Sequence, residues 1–155
     1  MFAKWNYYKF VIITKKTNQI NMQNITDELI NKGIKPSFIR VSVLNYLRNT
    51  IAHPTIETIY NSLKTLIPTL SKTSVYNTVE LLADFGLINV VTIDKNESRY
   101  DGDIKFHGHF KCEKCNNLYD FSLLDVNYSD LKNFIINTKD VYFSGICANC
   151  VKGGV

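Results

Sequence analysis

The chain reads as α+β: an N-terminal winged helix-turn-helix domain and a small C-terminal α/β dimerisation domain built on a four-cysteine zinc site. Three observations predict this. Helical periods with their own start and stop signals fill residues 22–85, two short β-rich runs follow, and all four cysteines fall beyond residue 111 as two C-x-x-C pairs.

Taken in order, Met1 to Asn21 hold the only tryptophan, several other aromatics and Lys15-Lys16, with no clean helical period. Two readings of this extension stay open: an N-terminal arm, or a stretch upstream of a natural start at Met22. A first helix runs from Met22 and stops at Gly33, which tolerates the left-handed turn that ends helices. Pro36-Ser37 opens a second, with Ile39, Val43, Leu44 and Leu47 at helical spacing. The His53-Pro54 break precedes a third, Thr55 to Leu66, whose Ile56, Ile59, Tyr60 and Leu63 share a face. Ser71 is a good N-cap for a fourth, Lys72 to Phe85, ended by Gly86.

Leu87–Ile93 and Ser98–Tyr100 then form a hairpin across Asp94 to Glu97. Asp101-Gly102-Asp103 reads as a hinge, which sets the domains at 22–101 and 102–155. Beyond it come strands Gly108–Lys111 and Asn117–Ser122, an amphipathic helix Tyr128–Asn137, and a strand Val141–Ile146 entering the second cysteine pair. About fifty residues bury little core unaided, and such domains rely on metal or oligomerisation. An open sheet edge invites a second copy, so a homodimer is expected.

A hydrophobic content of 45% and a mean hydropathy of −0.09 belong to a soluble globular protein rather than a disordered one. The apolar run Phe10-Val11-Ile12-Ile13 is too short for a signal sequence or a membrane span. The expected compartment is therefore a reducing cytoplasm, with no membrane partner, where paired cysteines more often hold metal than form disulfides. Cys112, Cys115, Cys147 and Cys150 can close a tetrahedral thiolate shell around Zn2+. A redox dithiol or a disulfide pair are the other readings. The histidines, His53 and the pair His107-Gly108-His109, are then free for a second metal.

A net charge of +4 and a pI of 8.8 permit nucleic-acid binding without establishing it. On the fourth helix Val75, Val79 and Leu82 face inward, while Thr73, Tyr76 and Asn77 face out. In winged helices the helix after the turn lies in the DNA major groove, where amide, hydroxyl and aromatic groups read base edges and thymine methyls. A merely solvated face, or a protein-interaction module, gives the same pattern.

The order winged helix, hinge, H-x-H, C-x-x-C, helix, C-x-x-C resembles the ferric uptake regulator family of metal-dependent repressors. The resemblance rests on Ala52-His53-Pro54-Thr55, Ser74-Val75-Tyr76-Asn77, Ser98-Arg99-Tyr100-Asp101, His107 to Cys112, and Leu118-Tyr119-Asp120-Phe121. It runs from about Gln23 to Cys150.

It implies a regulatory Fe2+ or Mn2+ held by His53, Asp101, His107, His109 and Asp120. It also implies a double-stranded, AT-rich palindromic operator as partner. Lys35 would reach the minor groove and Lys72 a phosphate, with Thr73, Tyr76 and Asn77 in the major groove. Aspartate at both carboxylate positions, and Asn77 where iron-responsive members often carry arginine, match the peroxide-sensing branch. No cysteine remains for a zinc-sensing site, and Val126 to Ile146 lacks the histidine and glutamate of a third metal site.

The branch implies that peroxide, acting through iron, oxidises His53 or His107 and so releases metal and DNA. The alternative within the family is an iron- or manganese-responsive repressor of metal uptake without peroxide sensing. A rival of another class, a small zinc hydrolase, finds no nucleophile with an adjacent base, so no enzyme is expected.

Overall fold

The computed structural model describes residues 22–93, 97–123, 127 and 129–153. The first 21 residues, the tip of the predicted hairpin and Tyr128 lie outside them.

Helix α1 covers residues 22–31 and ends at Gly33, whose φ of 75° is the left-handed turn expected there. Helix α2 (Phe38–Arg48) begins where Ser37 Oγ accepts the Arg40 amide. Helix α3 (Ile56–Leu63) is capped in the same way by Thr55, and α4 (Lys72–Asp84) by Ser71. Leu29, Val43, Leu44, Leu47, Ile59, Val75, Val79 and Leu82 interlock as one core, against which Leu87, Ile88 and Tyr100 close. Strands β1 (Asn89–Val91) and β2 (Arg99–Asp101) pair antiparallel, Asn89 opposite Asp101, and form the wing.

The C-terminal part is a three-stranded sheet in the order β4-β3-β5. Strand β3 (Gly108–Cys112) pairs antiparallel with β4 (Leu118–Phe121) and parallel with β5 (Tyr142–Gly145). A short helix α5 (Ala148–Val151) ends the described chain. Among the described residues, no helix is long and apolar enough to cross a membrane.

One expectation is corrected. The amphipathic helix Tyr128–Asn137 does not form: a single 3-10 turn, Ser129–Leu131, stands there, and Asn133 takes a left-handed φ of 76° that breaks helical continuation. A short isolated helix is marginal unless its apolar face is covered, and here Phe134 and Ile135 are 68% and 91% exposed.

The segment Asp101-Gly102-Asp103 is packed between the wing and the end of α2. Asp101 is buried in β2, and its Oδ1 accepts the Asp103 amide at 2.8 Å. Gly102 lies against the end of α2, where a Cβ would overlap the Leu47 carbonyl, and the Arg48 guanidinium grips the Gly102 carbonyl. Arg48 also pairs with Glu28 at 2.6 Å, tying α1, α2 and the exit of β2 together.

Candidate metal centres and helix face

Two clusters of metal-ligating side chains stand among the described residues. Both are built on the β3–β4 hairpin. Strand β3 brings His109 and Cys112, the segment before it His107, the turn after it Cys115, and β4 Asp120.

In the first cluster one sulfur from each of Cys112, Cys115, Cys147 and Cys150 lies within 4.8 Å of the others. Zinc–sulfur bonds of about 2.3 Å in a tetrahedron place sulfurs roughly 3.8 Å apart. Cys115 and Cys147 are separated by 3.9 Å. The surroundings favour thiolates. Backbone amides, including that of Cys147 at 3.3 Å, hold the Cys112 thiol down at about 6. The Tyr119 hydroxyl donates to Cys147 Sγ at 3.5 Å and lowers that thiol, while the same bond raises the phenol to about 12. Cys150 runs the other way, pushed up to about 12 by burial and by its hydrogen bonds among the other sulfurs.

In the second cluster His53, from the turn before α3, meets His107, His109 and Asp120, with ligand atoms again within 4.8 Å. Asp101 lies beside this tightest group: its Oδ2 is 3.1 Å from His107 Nε2, 3.6 Å from His109 Nε2 and 3.9 Å from His53 Nε2. Asp120 Oδ1 is 2.9, 3.6 and 3.7 Å from the Nε2 atoms of His53, His107 and His109. Metal–ligand bonds of about 2.1 Å put adjacent donors roughly 3–4 Å apart, the same range.

These close approaches are not aligned hydrogen bonds. Both ring nitrogens of His53, Nε2 of His107 and of His109, and Oδ2 of Asp101 are buried without a hydrogen-bond partner. His107 shows why a cation fits. Its Nδ1 lies 2.7 Å from the Lys105 carbonyl, which only accepts, so Nδ1 donates there and Nε2 is the ring atom turned toward Asp101. At 3.1 Å from the Asp101 carboxylate oxygen, Nε2 is placed where it and the carboxylate could share a cation. Burial also lowers the His53 pKa, against the pull of Asp120 and Asp101, which favours the neutral, ligating imidazole. Burial would raise Asp101, but the His109 imidazole beside it, the Asp103 amide and the other imidazoles hold it below its ordinary value. Three imidazoles and two carboxylates suit Fe2+, Mn2+ or Zn2+.

His53 does not cap a helix, since Thr55 does so. Its φ of 46° places a buried, non-glycine residue before proline in the left-handed region, a strain of about 1–3 kcal/mol of the kind found at functional sites. The Arg99 guanidinium reaches its carbonyl, and the Tyr100 amide donates to the Pro54 carbonyl, so the wing strand pins this turn.

On α4, Thr73, Tyr76 and Asn77 are exposed on one face. The Tyr76 hydroxyl bonds to Glu80, which raises the phenol. Lys72 is ion-paired with Glu57 and lies over the Tyr60 ring, whereas Lys35 is exposed with its carbonyl accepting the Arg40 guanidinium. Two residues escaped the sequence reading: Glu80, one turn after Tyr76 on the same face, and Tyr119. Strand alternation could have flagged Tyr119, because the neighbour of an inward-facing Asp120 must point to the sheet's other side.

The family model described as "Ferric uptake regulator family" matches residues 31–141. The peroxide-responsive repressor PerR of Staphylococcus aureus is 28% identical over 123 residues, covering 76% of this chain and 83% of the relative. That of Staphylococcus epidermidis is 26% identical over 127 residues, covering 79% and 85%. The ferric uptake regulator of Helicobacter pylori superposes with a TM-score of 0.68 at 21% identity, over 86% of this chain and 93% of that one, a likeness of fold. With the family model spanning most of the chain, from the last residue of α1 to the residue before β5, this protein belongs to the ferric uptake regulator family.

Proposed function

We propose that the chain is a metal-dependent, DNA-binding repressor that senses peroxide through oxidation of His53 or His107. One observation carries the reading: side chains from both ends of the fold, the buried His53 and Asp101 from the helical part and His107, His109 and the more exposed Asp120 from the sheet, converge on one point. A ligand set drawn from two parts of a chain fixes their relative angle when filled. Each tenfold preference for the closed arrangement is worth about 1.4 kcal/mol.

His107 and His109 hold the sheet side, His53 the helical side, and Asp101 bridges at the exit of the wing. In a homodimer this angle would set the spacing of the two α4 helices against half-sites of a palindromic operator. Thr73, Tyr76 and Asn77 would read bases, with Lys35 and, once freed from Glu57, Lys72 on the backbone. The exposed Phe134 and Ile135, and the exposed Phe143 on edge strand β5, support a second copy as partner. The four cysteines would hold structural zinc.

Both carboxylates at the mixed site are aspartates, which supports the peroxide-sensing branch, as does the similarity to the staphylococcal PerR repressors. Fe2+, when bound, would supply the electron chemistry that lets peroxide oxidise a neighbouring ring. The imidazole C–H gains one oxygen from one hydrogen peroxide, whose other oxygen leaves as water. An oxidised ring is a poor ligand, so the grip of His53 or His107, and with it the domain angle, would be lost.

The test is operator binding with Fe2+ and with Mn2+, each before and after mild peroxide, with mass spectrometry of the protein. One added oxygen on peptides holding His53 or His107, in the iron form only and together with DNA release, is the expected result. DNA release with both histidines unmodified would overturn it. Metal-dependent binding indifferent to peroxide would instead favour an iron- or manganese-responsive repressor.

A further inference from the structure

The phenol of Tyr119 and Cys147 together line a mostly apolar cavity of about 300 Å³, whose other walls include Phe110, Asp120, Phe121 and Ile146. Its hydroxyl donates to Cys147 Sγ at 3.5 Å, and its ring packs against Phe110, with centroids 6.4 Å apart. Cys147 is the sulfur that borders this cavity, and it lies 3.9 Å from Cys115 Sγ. Cys112 Sγ, by contrast, is fully buried and takes a backbone amide.

We propose that Tyr119 is a positioning residue for the zinc thiolates, whose hydrogen bond and ring protect Cys147 from oxidants entering through this cavity. A thiolate that accepts a hydrogen bond holds its lone pair less available, and so attacks peroxide more slowly. The reaction it restrains is balanced: Cys147 thiolate takes one oxygen from hydrogen peroxide, giving a sulfenic acid and hydroxide. Cys115 thiolate then displaces a second hydroxide, forming the disulfide and freeing Zn2+. Tyr119 also precedes Asp120 on β4, so the side chain that guards one metal cluster adjoins a ligand of the other. The inference requires only that the cysteines hold zinc and is independent of peroxide sensing at the histidines.

The experiment uses the full, zinc-loaded chain and follows zinc release with a chromogenic chelator during a hydrogen peroxide challenge, counting free thiols in parallel. Tyr119→Phe, which deletes only the hydroxyl, is expected to release zinc severalfold faster. A monofluorinated tyrosine at position 119, a stronger donor, is expected to slow release below that of the unaltered protein. Tyr142→Phe is the control, since the Tyr142 hydroxyl bonds to Asp140 and the Thr92 amide rather than to sulfur. Equal release rates for Tyr119→Phe and the unaltered chain, equal acceleration by Tyr142→Phe, or faster release with the fluorinated residue would each overturn the proposal. If Tyr119→Phe retained no zinc while Tyr142→Phe retained one per chain, the hydroxyl's role in holding the cluster would be supported.

Discussion

His53 concentrates the argument at the scale of single residues. It is buried, strained in the left-handed region before a proline, and leaves both ring nitrogens without hydrogen bonds. Each of these is costly alone, and a cation bound by the ring would offset them together. His53→Ala should therefore leave the fold and the cysteine zinc intact while abolishing the metal-dependent gain in operator affinity. That gain should amount to roughly 5–150-fold, the span of a coupling of 1–3 kcal/mol. Metal titrations of DNA binding measure it, and an undiminished gain in the variant would remove His53 from the switch. A second residue-scale expectation concerns Gly108, between His107 and His109, where a Cβ would run into the Phe121 ring. Gly108→Ala should cost about 1–3 kcal/mol by overpacking, read in denaturant unfolding, and should loosen the mixed metal site with it.

At the scale of elements, the sequence was legible wherever local chemistry decides. Ser37, Thr55 and Ser71 accept the amides that a capping residue should accept, and Gly33 and Gly86 take the positive φ that ends α1 and α4. Ser71→Ala should cost about 1 kcal/mol and fray the start of α4, next to Thr73. A helicity loss confined to α4 in hydrogen exchange would show it, whereas unchanged protection of the Ser74 and Val75 amides would not fit. Legibility failed where partners decide. Leu131, Phe134 and Ile135 carry a helical period, yet a period forms a helix only when a surface receives its apolar face, and this lies beyond a single chain's sequence. The grip of Arg48 on Glu28 and on the Gly102 carbonyl was invisible for a related reason, since it joins positions far apart in sequence. The cysteine and histidine positions were legible because those residues are rare enough in this chain for spacing to mark them, whereas Asp101 and Asp120 entered only through the family resemblance. Tyr119 was hidden among nine tyrosines.

Across the whole molecule, stability is divided unevenly. The helical part closes a continuous core from Ile25 to Tyr100. Among the described residues, the buried hydrophobic set of the sheet part consists of Cys112, Cys147 and Cys150, with Phe110 and Cys115 partly buried around them. Structural zinc is worth about 10–16 kcal/mol to small domains that cannot bury enough apolar surface. Here the β3–β5 pairing and both ends of the cysteine cluster would rest on it. Stripping zinc with a strong chelator should therefore unfold the sheet part while leaving α1 to α4 folded. Amides such as His109 and Glu113, which bond to the Val141 and Gly145 carbonyls, should lose hydrogen-exchange protection. Those in the middle of α2 and α4 should keep theirs. Because His107, His109 and Asp120 ride on the same sheet, Mn2+-dependent DNA binding should vanish with the zinc even though the mixed site's own side chains are untouched. If the zinc-free chain kept Mn2+-dependent binding at full strength, the sheet would have to be held by something other than its four sulfurs, and the dependence of one metal site on the other would fail.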